Sequence, residues 1–288
     1  MTIDKARDVS QWWSGNPQTY GDLHGKALYE GSGTAAPLPT QAFFDEADRH
    51  FFEWNHPLHE KSPFDRLFPY ERFRGKRVLE VGCGMGAMAS LWARNGAQVN
   101  AVDLAPFSIE MTRRRFALAG LDGDIREADG RVLPFETATF DYVYSWGVLH
   151  HSPDLGRSLR ELLRVLKPGG EFGLMLYHRR SFLYQWRIAY REGFLHDERN
   201  FLDPVELSSR YTDASEAEGN PHTWPVTKTE IRTMLAPFAS DLEFRVLGTE
   251  IGDIFGFMLP GLDRLPAWIL KPWARRFGWS LWCSGKRA

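Results

Sequence analysis

Residues 78–86, Val-Leu-Glu-Val-Gly-Cys-Gly-Met-Gly, constrain this chain more than any other stretch. The β-favouring apolar residues Val78, Leu79 and Val81 run into a glycine-dense turn. Met88, Leu91 and Trp92 then share one helical face. Strand, tight loop and helix N-terminus in that order open a nucleotide-type α/β fold. The glycines let the backbone turn sharply and let a ligand approach the main chain where a Cβ would collide.

The glycine run alone fits more than one ligand. Gly82, Gly84 and Ala87 match the dinucleotide pattern GxGxxG/A. Asp103 ends the next strand, 103 − 82 = 21 residues after the first glycine, where a carboxylate holds ribose hydroxyls. NAD and S-adenosylmethionine both carry an adenosine ribose, so Asp103 does not separate them. Glu80 precedes the first glycine by two residues. An acid there suits a ligand with an ammonium group better than a pyrophosphate, which it would repel.

Length and composition narrow the rest. The 288 residues suffice for one α/β domain with insertions and are short for two independent domains. A formal net charge of −2 offers no basic field for nucleic acid or an anionic membrane. Cys83 and Cys283 have no metal-like pairing, so neither a disulfide nor a metal site is expected and a reducing cytoplasm fits. Residues 1–10 are charged and lack an apolar run, so no signal peptide is expected. The apolar stretch 251–270 contains Asp253, Asp263 and Arg264 and does not read as a membrane span. Among eleven tryptophans, Trp12, Trp13, Trp54, Trp186, Trp224, Trp268 and Trp273 lie outside the sheet-building segments. They read either as anchors that dock extra segments or as walls of an apolar substrate cavity under a lid.

Residues 1–38 read as a mostly irregular arm. Residues 40–54 read as a helix capped by Thr40, with Phe44, Ala47, Phe51 and Trp54 on one face. A second short helix is expected near 64–73. Strands are expected at 77–81, 98–102, 123–126, 141–144 and 171–177, with helices at 87–95, 106–119 and 154–166 between them. Such alternation implies a parallel sheet with right-handed crossovers. The rhythm breaks at about 179–225, an aromatic-rich insertion with a helical piece near 181–192 and a polar, loop-like part at 200–224. A helix at 227–238 with Thr227 and Glu230 as a capping box comes next. A strand at 241–249, a second insertion at about 251–277 and a final strand at 279–286 complete the chain. The division expected is a cover of residues 1–74 and a domain of residues 75–288.

Further motifs stand in order behind the glycine loop. They are Ala128-Asp129-Gly130, Leu133-Pro134-Phe135, the run from Phe140 to Ser145, Val148-Leu149-His150-His151 and Leu166-Lys167-Pro168-Gly169-Gly170. As a set, over roughly 75–177, they resemble the class I S-adenosylmethionine-dependent methyltransferases, in particular the "type 11" small-molecule branch. The resemblance implies an α/β, Rossmann-like seven-stranded mixed sheet of order 3-2-1-4-5-7-6. Its last strand would be antiparallel, with helices on both faces, lid insertions and leading helices folded over cofactor and substrate. It also implies methyl transfer from S-adenosylmethionine to an O or N atom of a small, apolar or aromatic acceptor. A cytoplasmic monomer or homodimer is expected, with no nucleic-acid partner and no integral membrane segment. An NAD-dependent dehydrogenase leaves the 149–151 and 166–170 motifs without a purpose. A non-catalytic partner subunit on the same fold is the other alternative.

The resemblance distributes roles. Glu80, Gly82, Cys83, Gly84 and Gly86 would hold the methionine end, with Glu80 facing the ammonium group. Asp103 would take the ribose hydroxyls, and Leu104 would lie on the adenine. Asp129 would accept a hydrogen bond from the adenine amino group, and Gly130 would leave room for the ring. Ser145 and Trp146 would line the transfer centre from the end of the fourth strand. His150, His151 and His178 follow strand ends on the cofactor side and titrate where a base must. His150 ranks first, because the turn should point it inward, and His178 second; the histidine pair has a purely structural reading as well. Trp12, Trp13, Tyr177 and Arg179 complete the acceptor candidates, Arg179 either as a grip for an anionic group or as an exposed cation.

Overall fold

The computed structural model describes residues 5–16, 39–213, 219–248 and 265–288. A seven-stranded sheet organises them. It comprises β1 (Arg77–Val81), β2 (Gln98–Asp103), β3 (Asp124–Glu127), β4 (Phe140–Trp146), β5 (Leu166–Tyr177), β6 (Ala239–Leu247) and β7 (Ser280–Arg287). The order is β3-β2-β1-β4-β5-β7-β6, as the resemblance implied. β1 to β5 pair in parallel, and β7 runs antiparallel to both neighbours, with Cys283 opposite Leu174 on one side and Phe244 on the other. The helices are α1 (Lys5–Gly15), α2 (Gln41–Trp54), α3 (Ala87–Arg94), α4 (Pro106–Ala119), α5 (Leu155–Val165), α6 (Pro204–Arg210), α7 (Lys228–Leu235) and α8 (Ala267–Phe277).

Strand alternation sends side chains to two cores. On one face Leu79, Val81, Val143 and Leu174 pack with Leu159, Leu162 and Leu163 of α5. On the other, Val78, Tyr142, Tyr144 and Trp282 pack with Trp92 of α3 and with Phe64, Phe68, Tyr70 and Phe73. Phe64, Phe68 and Trp92 are fully buried, and each such side chain contributes roughly 1.5–3 kcal/mol by leaving water. The segment before β1 therefore helps to cover that face of the sheet.

Local signals explain the helix starts. Thr40 accepts from the Phe43 amide, Asp154 from the Arg157 amide, and Thr227 with Glu230 forms a complete capping box. Several elements differ in detail from the expectation. The arm is helical over Lys5–Gly15, because Val9 is buried and Ser10 Oγ donates to the Leu104 carbonyl at 2.8 Å. Contacts of this kind hold a helix too short to persist alone. Residues 64–73 form only turns and a 3₁₀ turn at Tyr70–Phe73, with Phe64 at φ +61°. The helical piece expected near 181–192 is π-helical over Leu183–Leu195. The polar stretch holds α6, whose cap Asp203 and residue Glu206 complete a capping box. The Pro168-Gly169-Gly170 turn lies inside β5: Leu166 pairs with Phe140 and Glu171 with Tyr142, and the residues between bulge out. Most of the arm (17–38), residues 214–218 and the 251–264 part of the second insertion lie outside the described residues. Among the described residues, no helix is long and apolar enough to cross a membrane.

Candidate active site

A cavity of about 750 Å³ opens at the C-terminal ends of β1, β2, β4 and β5, where α/β sheets of this topology bind ligands. Its walls include Glu80, the glycine loop, Asp103, Trp146 and Tyr177 from the sheet, and Asp48 and Trp13 from α2 and α1.

The glycine loop is fixed from behind. The Gly82 and Cys83 amides donate to the Val102 carbonyl at 2.7 and 3.1 Å. Thr112 Oγ1 donates to the Gly84 carbonyl at 2.8 Å and Arg115 Nε to the Met85 carbonyl at 2.6 Å, so α4 holds the loop by two side chains. Gly84 sits at φ +51° with nothing within 4 Å of where a Cβ would be. Close ligand approach is therefore a reason for glycine at Gly84. At Gly82 the reason is protein packing: a Cβ there would lie 2.3 Å from Val148. Gly86 is similarly blocked by Thr112 and lies off the cavity wall.

Glu80 is buried, and its Oε2 has no hydrogen-bond partner. Burial pushes its carboxyl up to about 8; the neighbouring Tyr144 hydroxyl, which makes no well-formed hydrogen bond, pulls against that shift, and Asp103 adds to it. An orphaned carboxyl of this kind fits a cationic group in the cavity. Asp103 accepts from the Gly84 amide through Oδ2 and the Ala105 amide through Oδ1, both at 2.9 Å. Burial nevertheless raises its pKa. Leu104, beside it, lines the wall and receives Ser10 on its carbonyl. Asp129 lines the cavity with its carboxylate forked by Arg131, whose Nη2 lies 2.7 Å from Oδ2. Burial opposes ionisation of Asp129, and the Arg131 fork outweighs it and holds the pKa low. Gly130 leaves less room than expected, since a Cβ would press Val81 at 3.3 Å. These residues suit S-adenosylmethionine: an acid for its ammonium, a strand-end carboxylate for its ribose and an uncovered loop backbone.

Ser145 is turned away from the cavity. Its hydroxyl donates to the Val81 carbonyl at 2.8 Å and ties β4 to β1, while Trp146 lines the wall against Phe64. The histidines divide unexpectedly. His150 and His151 lie within a 3₁₀ turn at Leu149–His151, with their ring centroids 4.3 Å apart. His150 is the one tucked inside: its ring stacks on Tyr177, centroids 3.8 Å apart, and lies off the cavity wall. His151 faces the cavity, with Trp13 edge-on at 5.0 Å. The inward pointing expected of His150 is thus corrected in favour of His151. His178 is withdrawn as well, its Nδ1 facing the Gly278 carbonyl at 3.2 Å. Arg179 is neither a grip nor a free cation, because it bonds Glu230 and the Pro225 carbonyl and lies over Trp224. Trp12 packs edge-on against Trp13, one layer back. Tyr177 lines the cavity and donates to Asp213 Oδ1 at 2.7 Å.

Asp48, Arg115 and Asp213 also line the cavity, and sequence reasoning missed all three. Arg115 sits in a run of three arginines that reads as a solvated face, and Asp48 lies on what looks like the polar side of α2. Asp213 lies in a stretch with no motif. Among the described residues, no cluster of three His, Cys, Asp or Glu could hold a metal ion.

A Rossmann-like sheet of this order, with this loop and these acids at its C-terminal edge, defines the class I S-adenosylmethionine-dependent methyltransferase architecture. Comparison with known proteins agrees. The methyltransferase domain family matches residues 79–174. The ubiquinone biosynthesis O-methyltransferase of Xanthomonas oryzae pv. oryzae is 33% identical over 168 residues, 53% of this chain and 68% of that protein. Its counterpart in Methylocella silvestris is 35% identical over 156 residues, 52% of this chain, and the match spans 60% of that protein's length. The chain belongs to the class I S-adenosylmethionine-dependent methyltransferase family, which implies S-adenosylmethionine as its cofactor. Two solved structures share the fold at 18% identity. They are the cyclase SpnF (TM-score 0.53, 98% of this chain and 95% of that one) and an S-adenosylmethionine-dependent methyltransferase from Methanosarcina mazei (TM-score 0.52, 76% and 97%).

Proposed function

We propose that this protein is an S-adenosylmethionine-dependent O-methyltransferase for a small molecule with a hydroxyl group on an apolar or aromatic body. The observation that carries the reading is the single cavity shared by two kinds of wall. One carries Glu80, Gly84 and Asp103; the other carries Trp13, Trp146, His151 and Tyr177. The first suits the cofactor, the second a flat apolar acceptor with one ionisable group. The Xanthomonas and Methylocella relatives are named as O-methyltransferases, which favours oxygen over nitrogen.

Glu80 would hold the ammonium group, Asp103 the ribose and Leu104 the adenine face. Bound there, S-adenosylmethionine supplies a methyl whose bond pair returns to sulfur as the acceptor oxygen forms the new bond. What remains for the protein is placement of the acceptor and removal of its proton. The aromatic walls place it. His151 takes the proton, because of the three candidate histidines 150, 151 and 178 it is the one that lines the cavity. The protein acts in the cytoplasm as a monomer or homodimer, without a nucleic-acid partner. Calorimetry should show S-adenosylmethionine binding and no NAD binding, and a screen of phenols and alcohols with methyl-labelled cofactor should yield an O-methylated product. Tight NAD binding, or labelled product only on amines, would overturn the reading.

A further inference from the structure

The residues around His151 settle which of its nitrogens carries the proton. Nδ1 faces two oxygens, the His222 carbonyl at 2.9 Å and Thr223 Oγ1 at 3.0 Å. The carbonyl only accepts. The Thr223 hydroxyl has spent its proton on Asn220 Oδ1 at 2.7 Å, and that oxygen is identified by the His222 amide that also donates to it. Both oxygens therefore offer lone pairs, so neutral His151 keeps its proton on Nδ1. Nε2 bears the lone pair and has no hydrogen-bond partner. Across from it, at 3.6 Å, stands Asp213 Oδ2. The other oxygen of that carboxylate accepts from the Tyr177 hydroxyl, which fixes its direction.

A lone pair and a carboxylate facing each other at this distance form a place for a proton. We propose that Asp213, from the insertion after β5, is the positioning residue that makes His151 a base by holding the imidazolium formed when an un-ionised acceptor hydroxyl gives up its proton. The proposal rests on the O-methyltransferase reading for the identity of the proton donor. The O–H bond breaks, the proton goes to Nε2, and its charge is met by Asp213; Nδ1 keeps its own proton on His222 and Thr223. The acceptor class follows: a neutral alcohol or phenol, since an acceptor already ionised would have no proton to give and would meet the Asp213 charge. The base is complete only with the insertion docked, because His222, Thr223 and Asp213 all belong to it.

Other groups facing the ring act with Asp213 or against it. His150 on the same turn and His222 on the insertion are titratable, and Tyr177 of β5 stands 5.8 Å away. Burial lowers the His151 pKa and Asp213 raises it. Asp213 has φ +45°, a conformation that asparagine tolerates, so Asp213→Asn removes the charge and leaves the backbone alone.

The test is a nitrogen-detected NMR titration of the His151 ring in the wild type, Asp213→Asn and Asp213→Glu, with cofactor affinity measured alongside. The expected result is a His151 pKa lower by about one unit or more in Asp213→Asn, largely restored in Asp213→Glu, with cofactor affinity within about three-fold throughout. In turnover, Asp213→Asn should slow a neutral phenol at least ten-fold more than an acidic nitrophenol, and the acid limb of kcat/KM should move to lower pH. An unchanged His151 titration, or a proton found on Nε2 rather than Nδ1, overturns the proposal. If no hydroxyl compound is methylated by the wild type, the functional reading falls, while the titration still judges the Asp213–His151 pair.

Discussion

Arg115 Nη1 lies 2.6 Å from Asp48 Oδ2, joining α4 of the sheet domain to α2 of the cover. The same guanidinium donates through Nε to the Met85 carbonyl and lies over the Phe44 ring, with its carbon 4.4 Å from the centroid. Arg115 is almost wholly buried, and both its Nη2 and Asp48 Oδ1 lack hydrogen-bond partners. One side chain thus locks together the glycine loop, the cover helix and the cavity wall.

Removing one partner of a buried pair leaves the other charged and unpaired. Arg115→Met should therefore destabilise the protein by roughly 3 kcal/mol, more than the double variant with Asp48→Leu. It should also weaken cofactor binding, because the Met85 carbonyl loses its anchor. Urea unfolding and calorimetry on the four proteins of the cycle check this. Equal stability of Arg115→Met and wild type would mean that the pair contributes nothing net.

Glu80 predicts a proton count. Its carboxyl is raised from an ordinary 4.5 to about 8 in the fold. Between those values the folded chain holds a proton that the unfolded chain has lost. Stability therefore falls as pH rises through that window, with a slope approaching ~1.4 kcal/mol per pH unit, and levels off above it. Glu80→Gln should flatten the slope. A cationic ligand beside Glu80 should ionise it, so S-adenosylmethionine binding at pH 7 should release close to one proton. Calorimetry in buffers of different ionisation enthalpy measures the release, and the Gln variant should show none. A wild type that binds cofactor without releasing a proton would place the ammonium elsewhere.

Asp103 accepts from two amides and still faces the cavity. Asp103→Ala should cost roughly 1–3 kcal/mol of cofactor affinity, since the ribose hydroxyls and the Gly84 amide lose an acceptor. Unchanged affinity in that variant would remove Asp103 from the ribose site.

The strands were legible because strand patterning, the glycine loop and the helix caps are local signals, and Thr40 and Thr227 cap as their neighbours suggest, whereas the sheet order came from the family resemblance. What depended on distant contacts was not legible. The α1 helix depends on Ser10 meeting Leu104, 94 residues away. His150 and His151 carry the same chemistry, and only the tight turn and the Tyr177 ring decide which faces the cavity. Arg179 reads as a free cation until Glu230, 51 residues on, closes on it.

His151 and His178 should now separate in turnover. His151→Asn should slow methyl transfer by roughly 10²–10⁴ while cofactor affinity stays within a few-fold. His178→Asn should leave turnover nearly unchanged, because that ring faces the Gly278 carbonyl. Burial lowers the His151 pKa, so the acid limb of the wild-type profile should have its midpoint below the ordinary 6.5. The base is active only when neutral, and activity is therefore retained down to that midpoint and lost beneath it. An equal loss in His178→Asn would remove His151 as the base.

The α1 helix should behave as a closing wall. Its described ties to the sheet domain include the Ser10–Leu104 hydrogen bond and the edge of Trp13 against His151. A helix of 11 residues does not persist without such ties, which makes it a candidate for local opening. An acceptor seated between Trp13 and Tyr177 would add aromatic contact to the second tie, and the cofactor would brace the Leu104 loop that carries the first. Backbone amides of α1 should exchange quickly in the free protein and slow markedly with cofactor plus acceptor. Trp13→Ala should raise KM for an aromatic acceptor by about ten-fold, the effect of losing ~1.4 kcal/mol of ring contact, with cofactor affinity unchanged. Equal protection of α1 in the free and bound protein would make it a fixed wall, and Trp13 would then shape the cavity without closing it.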